Sequence, residues 1–178
     1  LFCFGRCSYL VYSTSFACRR IFVNPFLLIQ VSGFMALVEK SVLLAFSAEQ
    51  MFALVDNVAD YPQFLPWCGG TSVTVLDDTR IRATVLINYH HVKQSFTTEN
   101  VRMTPQRIDI TLLDGPFKHL DGSWRFIVLS PTACKIEFRL NYEFSNKLLE
   151  KVVGPVFHYI ASTFVEAFIK RAEVIYKK

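Results

Sequence analysis

The residues that could do chemistry are few and scattered. The 178-residue chain holds four His and five Cys. His90 and His91 are adjacent at the end of an alternating run, so an extended backbone sends their side chains to opposite faces. They cannot serve one site together without a bulge. His119 follows Lys118 in another alternating run, and His158 follows Phe157 in a helical stretch, off its apolar stripe. A lone His without a partner reads as a structural or exposed residue. Cys68 lies in Trp67-Cys68-Gly69-Gly70 with no cationic neighbour to lower its pKa, so it reads as a free structural thiol and not as a nucleophile. The patterns G-x-S-x-G, H-E-x-x-H and G-x-x-x-x-G-K-[ST] do not occur. Cys68 and Cys134 are isolated, and no His/Cys/Asp cluster has metal-ligand spacing. The five Cys show no paired spacing, which excludes a disulfide scaffold and a zinc ribbon. The expectation is no catalytic residue and no metal site.

What the chain has in excess is rigid apolar bulk: 17 Phe, with only nine further aromatics. Tyr61, Phe64, Leu65, Pro66 and Trp67 crowd large or stiff groups into seven residues. They read either as a buried latch, or as a lid over an apolar ligand or a membrane-touching patch. Phe96, Phe117, Phe126, Phe138, Phe157, Phe164 and Phe168 read either as core filling or as the wall of a cavity. Ligand pockets are mostly apolar with few polar groups, and this composition supplies that without a reactive centre.

The elements that must position these residues follow from periodicity. Residues 37–46 form an apolar, β-branched run, an expected first strand. Ser47-Ala48-Glu49-Gln50 is a capping-box pattern, and Met51, Phe52, Leu54 and Val55 then share one side of a short helix. Pro62 fits the first turn of a second short helix that stops near Pro66, and Cys68-Gly69-Gly70 reads as a turn. Six alternating runs follow at 71–76, 80–89, 93–103, 107–113, 117–129 and 134–144. The fifth has an expected break at Asp121-Gly122, then Trp124, Phe126 and Val128 on one face. The last is the cleanest: Cys134, Ile136, Phe138, Leu140, Tyr142 and Phe144 face one way, with charged or amide side chains opposite. Strict alternation means one buried and one wet face. Residues 146–178 change period. Leu149, Val153, Phe157, Ile160, Phe164, Phe168, Ala172 and Ile175 recur at three and four residues, an amphipathic helix. Gly154-Pro155 inside it predicts a kink or a break into two helices. An antiparallel meander with one apolar face needs a cover, and this helix is the only long element available for it. The twist of the sheet makes it curl around the helix.

Length and composition agree with one folded domain. Hydrophobic residues are 52% and charged residues 19%, which argues against disorder. No apolar run reaches about 18 residues, so a spanning helix is not expected. Net charge is +4. Residues 1–34 contain three Arg and no Asp, Glu or Lys, leaving 16 basic and 15 acidic groups in the other 144 residues. Those basic groups are interleaved with acids, a solvated surface and no DNA-tracking stripe. The 1–34 segment reads as a leader outside the fold: upstream translated sequence before Met35, an organellar targeting segment, or an export signal weakened by Asn24-Pro25. The folded domain is then 35–178.

Three segments carry a specific resemblance: YPQFLPWC at 61–68, DGPFKHLDGSWRF at 114–126, and LLEKVVGPVF at 148–157 followed by FVEAFIKRA at 164–172. In that order they resemble the START-like (SRPBCC) family of coenzyme Q-binding proteins and RatA-type ribosome association toxins. The resemblance implies an α+β helix-grip fold: a seven-stranded antiparallel sheet around a long C-terminal helix, with two short helices after the first strand. It also implies non-enzymatic binding of ubiquinone or a similar lipid in an apolar cavity, in support of respiratory electron transport. No cofactor is required; ubiquinone is the ligand. The implied binding residues are Phe64, Leu65, Trp67, Phe96, Phe117, Trp124, Phe126, Phe138, Phe157, Ile160, Phe164 and Phe168. Contact with a membrane surface is a further expectation. The alternative is binding to the large ribosomal subunit, which blocks subunit association. The family also includes cyclases and aromatases. The implied location is the bacterial cytoplasm, peripheral to the inner membrane, or the mitochondrion if residues 1–34 are a targeting segment.

Overall fold

A computed structural model describes residues 35–177, so the expectations for 1–34 lie outside the described residues. In chain order the elements are β1 (Ala36–Leu44), α1 (Ala48–Asp56), a 3-10 helix (Val58–Gln63), β2 (Cys68–Val75), β3 (Arg80–Tyr89), β4 (Val92–Met103), β5 (Arg107–Asp114), β6 (Phe117–Ser130), β7 (Ala133–Phe144) and α2 (Lys147–Tyr176). The strands make one antiparallel sheet in the order β1-β7-β6-β5-β4-β3-β2. Each of β2 to β6 pairs with its successor, and β1 returns to pair with β7. The segment holding α1 and the 3-10 helix therefore carries the chain from one sheet edge to the other. The α+β helix-grip architecture expected from sequence is what the chain adopts.

Local chemistry explains the elements. Ser47 Oγ accepts from Gln50 N at 3.2 Å, and Gln50 Oε1 accepts from Ser47 N at 2.9 Å, so the capping box forms at α1. Asn146 Oδ1 caps α2 by accepting from Leu149 N at 2.9 Å. In β7, Cys134 to Phe144 bury every second side chain, as the alternation requires. Val153, Phe157, Ile160, Ala161, Val165, Phe168 and Ala172 of α2 are buried across the concave sheet. At the β5–β6 turn Gly115 has φ of +147°, and a Cβ there would lie 2.7 Å from Phe96 Cβ, so only glycine fits.

Several local expectations need correction. Pro62 is not in a first turn: the 3-10 helix starts at Val58 and ends at Gln63, with Pro62 near its end. Cys68-Gly69-Gly70 is not a turn but the start of β2. Gly69 is the extra residue of a bulge there, and its Cβ would lie 2.8 Å from Asn88 Cβ, a backbone approach that hides the strand in the sequence. β6 is not broken at Asp121-Gly122, which pair in register with Asn141 and Leu140; its irregularities lie between Phe117 and His119 and between Val128 and Ser130. Val128 keeps the face of Trp124 and Phe126, pairing with buried Cys134, but next to the second irregularity near the strand end it is 56% exposed. His90 is in the β3–β4 turn with φ of +53°, not at a strand end.

α2 is one continuous helix through Gly154-Pro155, not two. Pro155 is exposed, and so is Lys151, whose carbonyl loses its N–H partner to the proline. An 18-residue stretch of α2 reaches a mean hydropathy of 1.5, long and apolar enough by length and composition alone for a membrane span. In the fold its buried stripe is engaged by the sheet.

Candidate functional site: a cavity under the long helix

Period-two strands and a helical stripe of period near 3.6 bring apolar side chains to the same interior from two sides. They do not fill it. A cavity of about 80 Å³ remains between the sheet and α2. β3 contributes Ala83 and Val85, β4 contributes Phe96, Thr98 and Asn100, and β5 contributes Ile110. β6 adds Leu120 and Trp124, and β7 adds Phe138 and Leu140. α2 closes the space with Phe157, Ile160, Ala161 and Phe164, and Val58, Tyr61 and Trp67 close one end. Pockets that enclose a drug-sized ligand run to about 300–1,000 Å³. The space here is smaller than that, so a guest of that size requires the walls to part.

Of the residues singled out in the sequence, Trp67, Phe96, Trp124, Phe138, Phe157, Ile160 and Phe164 line this cavity. The others lie elsewhere in the interior. Phe126 packs edge-on against Phe52 of α1 at 5.6 Å, and Phe117 packs against Phe144 at 4.9 Å. Phe168 sits against Tyr61 at 5.3 Å and Phe64 at 5.2 Å, one helical turn past the cavity. Leu65 is fully buried, and half-buried Phe64 also carries the Arg171 guanidinium over its ring at 5.4 Å. Periodicity shows that a side chain points inward. It does not show how far along the strand or helix the space lies.

Ten lining residues lie outside the implied binding set, Thr98 and Asn100 among them. Thr98 and Asn100 are the buried polar side chains of the described core, at 4% and 7% exposure. Thr98 Oγ1 donates to Asn100 Oδ1 at 2.9 Å. Both are inward positions of β4, between Ala83 and Ile81 of β3 on one side and Leu112 and Ile110 of β5 on the other. Polar residues at inward positions are why β4 alternates less cleanly than β7. That imperfection was the available signal.

The titratable groups nearby are held in their neutral forms. Tyr61 is buried and donates to Val55 O at 2.7 Å, and burial pushes its hydroxyl well above the usual tyrosine range. Burial likewise raises the Cys68 and Cys134 thiols, and Cys68 Sγ donates to Gly70 O at 3.6 Å. Tyr142 is pushed up to about 12 by burial, with its hydroxyl 3.3 Å from His158 Nδ1. These groups position neighbours; a raised thiol or phenol is a poor nucleophile near neutral pH. No group of three or more potential metal ligands exists among the described residues.

The opposite face of the sheet is charged and mixed. Lys135 pairs with Glu137 at 2.6 Å, Lys118 with Glu143 at 2.9 Å, and Arg139 with Glu39 at 3.6 Å. This matches the solvated surface read from the sequence.

Comparison with known proteins agrees with this geometry. The family model for polyketide cyclase / dehydrase and lipid transport matches residues 44–169. The ribosome association toxin RatA of Vibrio cholerae is 43% identical over 139 residues, 78% of this chain and 96% of that protein. The mitochondrial coenzyme Q-binding protein COQ10 homolog B of Xenopus laevis is 29% identical over 141 residues, 77% of this chain and 58% of that protein. Among solved structures, the ZhuI aromatase/cyclase of Streptomyces sp. R1128 superposes with a TM-score of 0.69 at 14% identity, covering 78% of this chain and 94% of its own. A START superfamily protein of Mycobacterium smegmatis gives a TM-score of 0.62 at 21% identity, covering 80% of this chain and 99% of its own. At those identities the two structures bear on the fold alone. A continuous family match over β2 to β7 and most of α2, joined to the helix-grip topology, makes this chain a member of the polyketide cyclase / dehydrase and lipid transport family.

Proposed function

We propose that the chain is a non-enzymatic carrier of a hydrophobic lipid of the quinone class, held between α2 and the concave sheet. The observation that carries this reading is the cavity itself: apolar and aromatic walls with two polar side chains, Thr98 and Asn100, and the hydroxyl of Tyr61. Such walls hold a ligand by area and shape, at about 25 cal/mol for each Å² of apolar surface removed from water. Ubiquinone fits that chemistry, and the coenzyme Q-binding relative supports it. The cargo places the protein at the surface of the membrane that holds it, in support of electron transport. The test is solvent extraction of the purified full chain followed by mass spectrometry. Co-purifying quinone near one per chain is expected. Extracts free of any quinone, together with no uptake of added short-chain ubiquinone, would contradict the reading.

A second reading is favoured by a separate observation. Relatives named ribosome association toxins are 43% and 42% identical over most of both chains, well above the 29% of the coenzyme Q-binding relative. On that reading the chain binds the large ribosomal subunit and blocks subunit association. Co-sedimentation with large subunits, weakened by raised salt because surface charge would carry it, supports it. Absence from the subunit fraction at low salt removes it.

A further inference from the structure

We propose that Thr98 and Asn100 form a carbonyl-reading point inside the cavity, at which the Asn100 carboxamide donates to a carbonyl oxygen of the bound lipid. This rests on the lipid-carrier reading above.

A carboxamide has one acceptor end and two N–H donors. The acceptor end of Asn100 is taken by the Thr98 hydroxyl at 2.9 Å. With that bond made, Nδ2 is the free end of the amide. Its Nδ2 makes no hydrogen bond to any described residue, while the residue itself is 7% exposed and lines the cavity. On the neighbouring strands Ile81 and Ile110 flank it, and neither side chain can accept a hydrogen bond. A donor that faces a largely apolar space with no protein partner costs free energy there. A Leu at this position would remove that cost and continue the apolar wall. The arrangement instead keeps an oriented donor pair facing a space otherwise walled by hydrocarbon.

The ligand class follows from the donor. It needs an acceptor oxygen on a largely apolar body, which describes a quinone ring carbonyl or the ester carbonyl of an acyl lipid. It does not describe a hydrocarbon, and an anion would find no cation among the lining residues.

The test uses the full chain and three probes: a short-chain ubiquinone, methyl oleate, and a hydrocarbon of similar length. Each displaces a fluorescent naphthyl dye from the cavity. In Asn100→Leu, affinity for the carbonyl-bearing probe should fall about tenfold, the scale of one net hydrogen bond, while hydrocarbon affinity stays the same or rises. Whichever of the quinone and the ester shows the fall is the carbonyl that the pair reads. Thr98→Val keeps its shape and leaves Asn100 in place but unoriented, and it should show a smaller fall with the same selectivity. The ligand-free thermal midpoint of Asn100→Leu should be unchanged or higher. Equal losses for all three probes, or no loss for any, would overturn this proposal alone. If the parent chain displaces dye with none of the probes, the lipid-carrier reading falls with it.

Discussion

Phe164 stands where the aromatic interior becomes a cavity wall. Its ring meets Trp67 and Trp124 at 5.7 Å, Phe138 at 5.8 Å and Phe168 at 5.0 Å, yet it is only half-buried and lines the cavity. In a filled core Phe→Ala costs about 3–5 kcal/mol. One side of Phe164 already lacks packing partners, so Phe164→Ala should cost about 2 kcal/mol by urea denaturation. A loss of the full core magnitude would mean that the space is closed packing and no site. Tyr142 offers a pH test. Burial raises its hydroxyl to about 12, against about 10 in an unfolded chain. Between those values the folded state holds the proton more tightly, so its contribution is complete below about pH 10 and is lost as pH rises toward 12. Urea midpoints should therefore fall between pH 10 and 12, and Tyr142→Phe should flatten that fall. Tyr61 shifts in the same direction, so some slope will remain.

At the scale of elements, what was legible followed from how cleanly two environments were separated. β7 has one fully buried and one charged face, so its sequence states its period. β4 puts Thr98 and Asn100 inward, and its period is blurred at the two positions that matter most for the site. β2 hides its first residues behind a glycine bulge. The start of α1 was legible because a capping box is a local hydrogen-bond pattern, and Ser47→Ala should cost about 1 kcal/mol. The continuity of α2 was not legible. A proline's penalty depends on what surrounds the freed carbonyl, which is a tertiary fact. Gly154 beside it is testable: a Cβ there would meet Phe144 Cε2 at 3.6 Å, ordinary contact. Gly154→Ala should raise stability by about 0.5–1 kcal/mol, read as a higher urea midpoint. A lower midpoint would show that this helix turn depends on glycine.

For the whole molecule, the sheet curls around α2 without fully filling the space between them. The sequence showed that bulky side chains point inward; it did not show that they leave a gap, because a volume deficit is a sum over many positions and no single spacing records it. Ala161 is the position where the gap is most directly addressed. It is 2% exposed, on α2, and lines the cavity. A ring placed there should occupy the space at an overpacking cost of about 1–3 kcal/mol. The two Trp of the chain, Trp67 and Trp124, both line the same cavity, so they report on whatever enters it. The most direct measurement is a tryptophan-fluorescence titration of the full chain with short-chain ubiquinone, beside Ala161→Phe. Saturable quenching at one quinone per chain is expected in the parent protein, with quenching reduced to the collisional level of free tryptophan in the variant. Collisional quenching alone in the parent protein, with no saturation, would contradict a quinone-binding cavity.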